Sequence, residues 1–139
     1  MPTTPTLKIP NLAQMAAKIA AMGTPEKILT VAIAGPPGSG KSPLANDLSR
    51  RIGPSCCLVP MDGFHLDNAT LSAQGLLSVK GAPETFDLAG FEKLIESLQA
   101  GRAKHFPTFD RGLDSVIENG ESVPDDLSVL LFEGNYLLF

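Results

Sequence analysis

Ile28-Leu-Thr-Val-Ala-Ile-Ala34 leads without a break into Gly35-Pro-Pro-Gly-Ser-Gly-Lys41-Ser42. The first half is a continuous β-rich apolar run, the composition of a strand buried on both faces in a parallel sheet. The second half satisfies GxxxxGK[ST], and Leu44, Ala45, Leu48 and Ile52 then recur at helical spacing until Gly53. Strand, glycine-rich loop and helix, in that order, are the context a phosphate-binding loop requires. Glycines at 35, 38 and 40 permit backbone conformations that aim successive N–H groups inward, and the helix start adds its positive end, so a polyphosphate meets a preformed anion nest. Pro43 falls in the first helical turn, where no intrahelical N–H bond is lost. Gly35, Pro36, Gly38, Ser39, Gly40, Lys41 and Ser42 are therefore the expected contacts to nucleotide phosphates. Lys41 is expected to reach the β- and γ-phosphates of ATP, and the Ser42 hydroxyl to ligate Mg²⁺.

Outward from this loop, Cys56 to Met61 reads as a second buried strand and Ser128 to Phe132 as a third. Strand, helix, strand is the unit of a parallel sheet, and the expected class is α/β. Residues 1 to 10, with three Pro and three Thr, read as a tail. Leu12, Met15, Ala16, Ile19 and Ala20 predict a short amphipathic helix stopped by Gly23. A short helix is expected near Leu66 to Gln74, and Phe91, Leu94, Ile95 and Leu98 mark another that ends at Gly101. Between Lys104 and Val123, Pro107 and an Asn119-Gly120 turn predict a β-hairpin outside the main sheet. The chain divides into an N-terminal tail and helix, 1–27, and a single core, 28–139.

The 139 residues are 43% hydrophobic and 19% charged, enough for one globular core. A net charge of −4 opposes a nucleic-acid or anionic-membrane surface, which needs clustered Lys and Arg. A small soluble ligand fits better. Cys56 and Cys57 are adjacent within an apolar run, so on a strand they point to opposite faces and are poorly placed to bridge. They read as core residues in a reducing cytoplasm. Gln14 and Lys18 interrupt the most apolar N-terminal stretch, against a signal peptide or membrane span. With two histidines and no separated cysteine pair, a zinc site is not expected.

A phosphate-binding loop does not say what is done with the nucleotide. Asp87-Leu-Ala-Gly90 reads DxxG, but it opens an amphipathic helix and no guanine-reading NKxD follows, so a GTPase is set aside. Asp62 lies at the end of the second strand, at the sheet edge where ligands bind, and a carboxylate there can accept the proton of an attacking hydroxyl or simply cap the turn before Gly63. Glu133 follows the third apolar run, either as a Mg²⁺ ligand or as a solvated strand-end carboxylate.

With the loop, the segments Met61-Asp-Gly-Phe-His65, Lys80-Gly-Ala-Pro-Glu-Thr-Phe-Asp87 and Phe132-Glu-Gly-Asn-Tyr136 make residues 28 to 138 resemble the P-loop kinases of the uridine kinase, phosphoribulokinase and pantothenate kinase group. Bacterial uridine-kinase-like proteins often named fructose transport system kinases are the nearest likeness. The resemblance implies the three-layer P-loop NTPase fold and transfer of the γ-phosphoryl of ATP to a hydroxyl of a sugar, nucleoside or pantothenate-like metabolite. It makes Asp62 the catalytic base beside Lys41, gives Mg²⁺ to Ser42 and Glu133, and surrounds the acceptor with His65, Phe86, Asp87 and Phe109. Pro107-Thr-Phe-Asp110 stands where uridine kinases have PxYD, and the missing phenol removes one polar handle for a nucleoside. Lys80 and Arg111 are candidates for anionic groups of the acceptor, or solvated surface charges.

The family continues past this segment with two more strands, an Arg-bearing lid and adenine contacts, so a truncated chain is expected. Its first strand would present an open edge to the missing strands or to a second copy in a homodimer. The 139 residues alone are expected to be inactive and poorly stable as a monomer. A nucleotide-binding regulator without turnover is the alternative function.

Overall fold

The computed structural model describes residues 11–35, 40–80 and 82–134, and only the backbone of Lys41 and Ser42. In chain order the elements are α1 (Leu12–Met22), β1 (Leu29–Ala34), α2 (Lys41–Ile52), β2 (Cys56–Pro60), α3 (Asn68–Ala73), α4 (Leu88–Gln99), β3 (His105–Asp110), β4 (Ser115–Ser122) and β5 (Val129–Gly134). Most of the loop residues, Pro36 to Ser39, and the Asn135 to Phe139 end of the family segment lie outside the described residues.

β1, β5 and β2 form a parallel sheet in that order, with Ile33 beside Glu133 and Glu133 beside Pro60. The third apolar run is thus the central strand. Val129, Leu130 and Leu131 are fully buried because β5 is covered on both faces and paired on both sides. β1 reads equally apolar, yet Ala32 and Ala34 are exposed. The reason is position, since β1 pairs only with β5 among the described residues.

Alternate residues of the sheet feed two cores. Val129 and Leu131 pack with Ala16 of α1 and Leu48 of α2, flanked by Val31, Ile33 and Leu58. Leu130, Val59 and Cys57 pack on the other face with Phe91 and Leu98 of α4, Met61, Phe64 and Phe106. Helices on both faces of a parallel sheet give the α/β three-layer arrangement read from the sequence. Asn11 caps α1 by accepting the Gln14 N–H at 2.8 Å, and Asp87 caps α4 by accepting the Gly90 N–H at 3.0 Å. The Asp87-x-x-Gly90 spacing is therefore a helix cap.

The excursion after α4 is an antiparallel hairpin, β3 with β4, irregular between Phe106 and Thr108. Its turn is not at Asn119-Gly120, as the sequence suggested, but at residues 111–114, where Asp110 Oδ1 accepts the Leu113 N–H at 3.0 Å and Asp114 has a φ of 50°. Asn119 and Gly120 lie inside β4. Gly120 serves space instead of turning, because a Cβ there would run into the Thr108 side chain. The hairpin also sits tight against the chain beyond β2, where Pro107 passes so close to buried Gly63 that a Cβ would strike its carbonyl.

Two outcomes follow from this packing. Gly63→Ala must push the hairpin off the 61–64 segment, and a loss of about 1 to 3 kcal/mol in urea unfolding is expected, as for overpacking; unchanged stability would contradict the close approach. Cys56 and Cys57 are both free and face opposite cores, and burial pushes the Cys57 thiol up to about 12, with smaller contributions from Cys56 and Glu121. The thiolate is the reactive species, so iodoacetamide at about pH 8 should leave Cys57 unmodified in the native protein and label it once urea is added. Rapid native labelling of Cys57, read by peptide mass, would contradict its burial.

Candidate active site

The parallel register brings three strand ends to one edge. β1 ends at Ala34 beside Gly134 and runs into Gly35, β5 ends with Glu133 and Gly134, and β2 ends at Pro60 beside Glu133, two residues before Asp62. Ligands of open parallel sheets bind at this carboxyl edge. Gly40, with a left-handed φ of 83°, turns the chain into α2, whose N-terminus faces the same edge. Glu133 is 7% exposed, so its carboxylate is held within the protein rather than in bulk water.

Asp62 stands in a short 3₁₀ turn, Met61–Phe64, that ends β2. The apolar members of the turn, Met61 and Phe64, are buried, while the Asp62 side chain is 45% exposed and lies 3.8 Å from the Arg111 guanidinium. The Asp62 carbonyl accepts from the His65 backbone N–H at 3.3 Å and contacts His65 Nδ1 at 2.8 Å. A carbonyl can only accept, so Nδ1 carries the proton in this contact, and Nε2 is an acceptor whenever the ring is neutral.

The chain leaving this turn pairs with the chain entering α4. Leu66 N–H donates to the Thr85 carbonyl at 2.9 Å and Asp87 N–H to the Phe64 carbonyl at 2.7 Å, so His65 and Phe86 face each other in an isolated antiparallel bridge. Their rings lie 4.3 Å apart between centroids, and Phe109 of β3 covers His65 from the hairpin at 4.7 Å. His65, Phe86 and Phe109, named separately from the sequence, are thus one aromatic stack. Asp87 joins His65 in lining a cleft of about 450 Å³ between this segment and the hairpin, with Asp67, Pro107, Val116 and Glu118. Its carboxylate is at the same time the cap of α4.

The two candidate cations differ. Arg111 is 87% exposed, and its distance to Asp62 makes a loose pair. Lys80 is 21% exposed, donates to Asp114 Oδ1 at 2.6 Å and to Asn68 Oδ1 at 2.9 Å, and sits 5.4 Å above the Phe109 ring. Asn68 Nδ2 donates to Asp114 Oδ2 at 3.0 Å. Hydrogen bonds from Lys80, then Asn68, hold the Asp114 carboxyl below the usual carboxylate range. Asp114 and Asn68 carry no motif, and only the Asp110-to-Leu113 turn could have directed attention to that end of the hairpin.

No family model matches the chain. A structure from Silicibacter sp. TM1040, provisionally named a fructose transport system kinase, superposes with a TM-score of 0.81 at 42% identity over 93% of this chain and 65% of that one. A Schizosaccharomyces pombe protein provisionally named uridine kinase is 33% identical over 78% of this chain and 51% of its own length. A pantothenate kinase of Chelativorans sp. is 32% identical over 75% of this chain and 34% of its own. The chain spans about half or less of these curated relatives' length. In sequence and in fold it belongs with the P-loop kinases related to uridine kinase and pantothenate kinase.

Proposed function

We propose that the protein transfers the γ-phosphoryl of ATP, with Mg²⁺, to a hydroxyl of a small metabolite. The observation that carries this reading is the register by which Gly35, Glu133 and Asp62 reach one edge of the sheet. The phosphate loop and the start of α2 bind the polyphosphate through backbone N–H groups, and Lys41 draws on the charge that develops on the transferring group. One hydroxyl, Ser42, and one carboxylate, Glu133, suit Mg²⁺, which keeps water and phosphate oxygens for its remaining positions. Mg²⁺ supplies neutralisation of phosphate charge and in-line alignment.

Asp62 is the residue for the acceptor proton. Its carboxylate is accessible, its backbone is fixed by the 3₁₀ turn, and the neighbouring stack of Phe86, His65 and Phe109 offers a sugar or nucleoside an apolar face with one acceptor atom, His65 Nε2. Arg111 holds Asp62 loosely enough to be exchanged for an acceptor.

The deciding experiment is ADP release by a full-length form, one that carries the lid segment of the family, with fructose, uridine and pantothenate as acceptors. At least one should stimulate it; ATP binding without stimulation by any would overturn the kinase reading in favour of a nucleotide-binding regulator. Asp62→Asn should lower kcat by about 10²- to 10⁴-fold with ATP affinity retained, and unchanged turnover would remove Asp62 from the base role. Glu133→Gln should raise the Mg²⁺ concentration needed for half-maximal rate, and an unshifted requirement would remove Glu133 from the metal.

A further inference from the structure

The tip of the hairpin is anchored far from its own strands. Asp114 receives Asn68 of α3 on one carboxylate oxygen and Lys80 on the other, and Lys80 also bonds Asn68, so three side chains from three segments close a triangle. An isolated surface pair is worth about 0 to 1 kcal/mol, so this triangle matters less for global stability than for where it fixes the hairpin. Its effect can be followed atom by atom. Lys80 Nζ lies over the ring of Phe109, Phe109 lies on His65, and His65 lies on Phe86.

We propose that Asp114 is a positioning residue for the phosphate acceptor: by gripping Lys80 and Asn68 across the hairpin tip, it seats Phe109 on His65 and fixes the stack whose Nε2 receives an acceptor hydroxyl. Lys80 then belongs to the latch and not to the binding of an anionic substrate group, because its ammonium already has a carboxylate, an amide oxygen and a ring around it. Arg111, on the same turn, is carried to Asp62 by the same anchorage. The role assigned to the acceptor rests on the kinase reading above; the seating of Phe109 on His65 does not.

The backbone offers a clean variant. Asp114 has a left-handed φ of 50°, which Asn adopts readily, so Asp114→Asn removes the charge without straining the turn. Long-range ¹H–¹⁵N spectra of the His65 ring report its tautomer and its burial between the two phenyl rings. In the wild type the Nδ1–H form is expected; in Asp114→Asn and in Lys80→Met the ring signals should shift toward those of a mobile imidazole. For the acceptor turned over fastest among fructose, uridine and pantothenate, KM should rise about tenfold, the scale of a misplaced binding group, with kcat and the KM for ATP little changed. The effects of the two substitutions should be less than additive in the double variant, since they share the Lys80–Asp114 contact. A lowered melting temperature with unaltered His65 signals and unaltered acceptor KM would reduce Asp114 to a structural role and overturn the proposal. Should no acceptor be phosphorylated by the wild type, the kinase reading fails, and the His65 signals alone decide the latch.

Discussion

Everything at the candidate site depends on the pairing of β5 with both β1 and β2. Because the three strands run parallel and in register, their carboxyl ends fall together, and a phosphate-binding loop, a buried carboxylate and an accessible carboxylate meet although they are scattered over about a hundred residues of sequence. The pairing is fixed by side chains that leave no alternative. A slip of one residue would turn Leu130 toward α1 and α2 and send Val129 and Leu131 into the phenylalanine cluster on the other face, mismatching both cores at once. Burial of β5 thus sets the position of Glu133, the last residue but one of its strand, as firmly as any polar contact could.

The hairpin supplies the second half of the site by a different means. Among the described residues it shares no strand pairing with the main sheet, and it is located by close approach at Gly63, by Phe106 in the core and by the Asp114 triangle at its tip. One side of the site is therefore held by backbone pairing and the other by side chains. Under the proposed kinase reading, that division gives a rigid nucleotide edge and an acceptor edge that is altered by changing a few residues.

What could be read from the sequence follows the same division. The loop, the three apolar runs and the helices flanking them are local patterns, and each states its own periodicity, so the α/β three-layer fold and the edge carrying Asp62 and Glu133 were legible. Which run lies in the centre was not, because Ile28 to Ala34 and Ser128 to Phe132 are equally apolar and strand order is decided by tertiary pairing. The hairpin was legible but its turn was misassigned: Asn119-Gly120 is a strong turn pair, yet Gly120 is glycine because Thr108 occupies the space of its Cβ. His65, Phe86 and Phe109 could be named one by one, while their stacking required one backbone bridge and a hairpin. The Asp114, Asn68 and Lys80 triangle left no trace, since three polar residues 12, 34 and 46 positions apart from one another form no pattern until the chain is folded.

The central place of β5 also bears on how the chain comes to be folded. Leu29 has its partner in Val129, so β1, α2 and β2 leave the ribosome with the strand that must lie between them still unmade. Until it arrives, two apolar strands present open backbone edges and no local partner can satisfy them. Sheet formation is then a late, long-range event closed by the last described strand. Over that interval the exposed apolar strands are open to pairing with other chains, a hazard that the strength of contacts in the finished sheet does nothing to reduce.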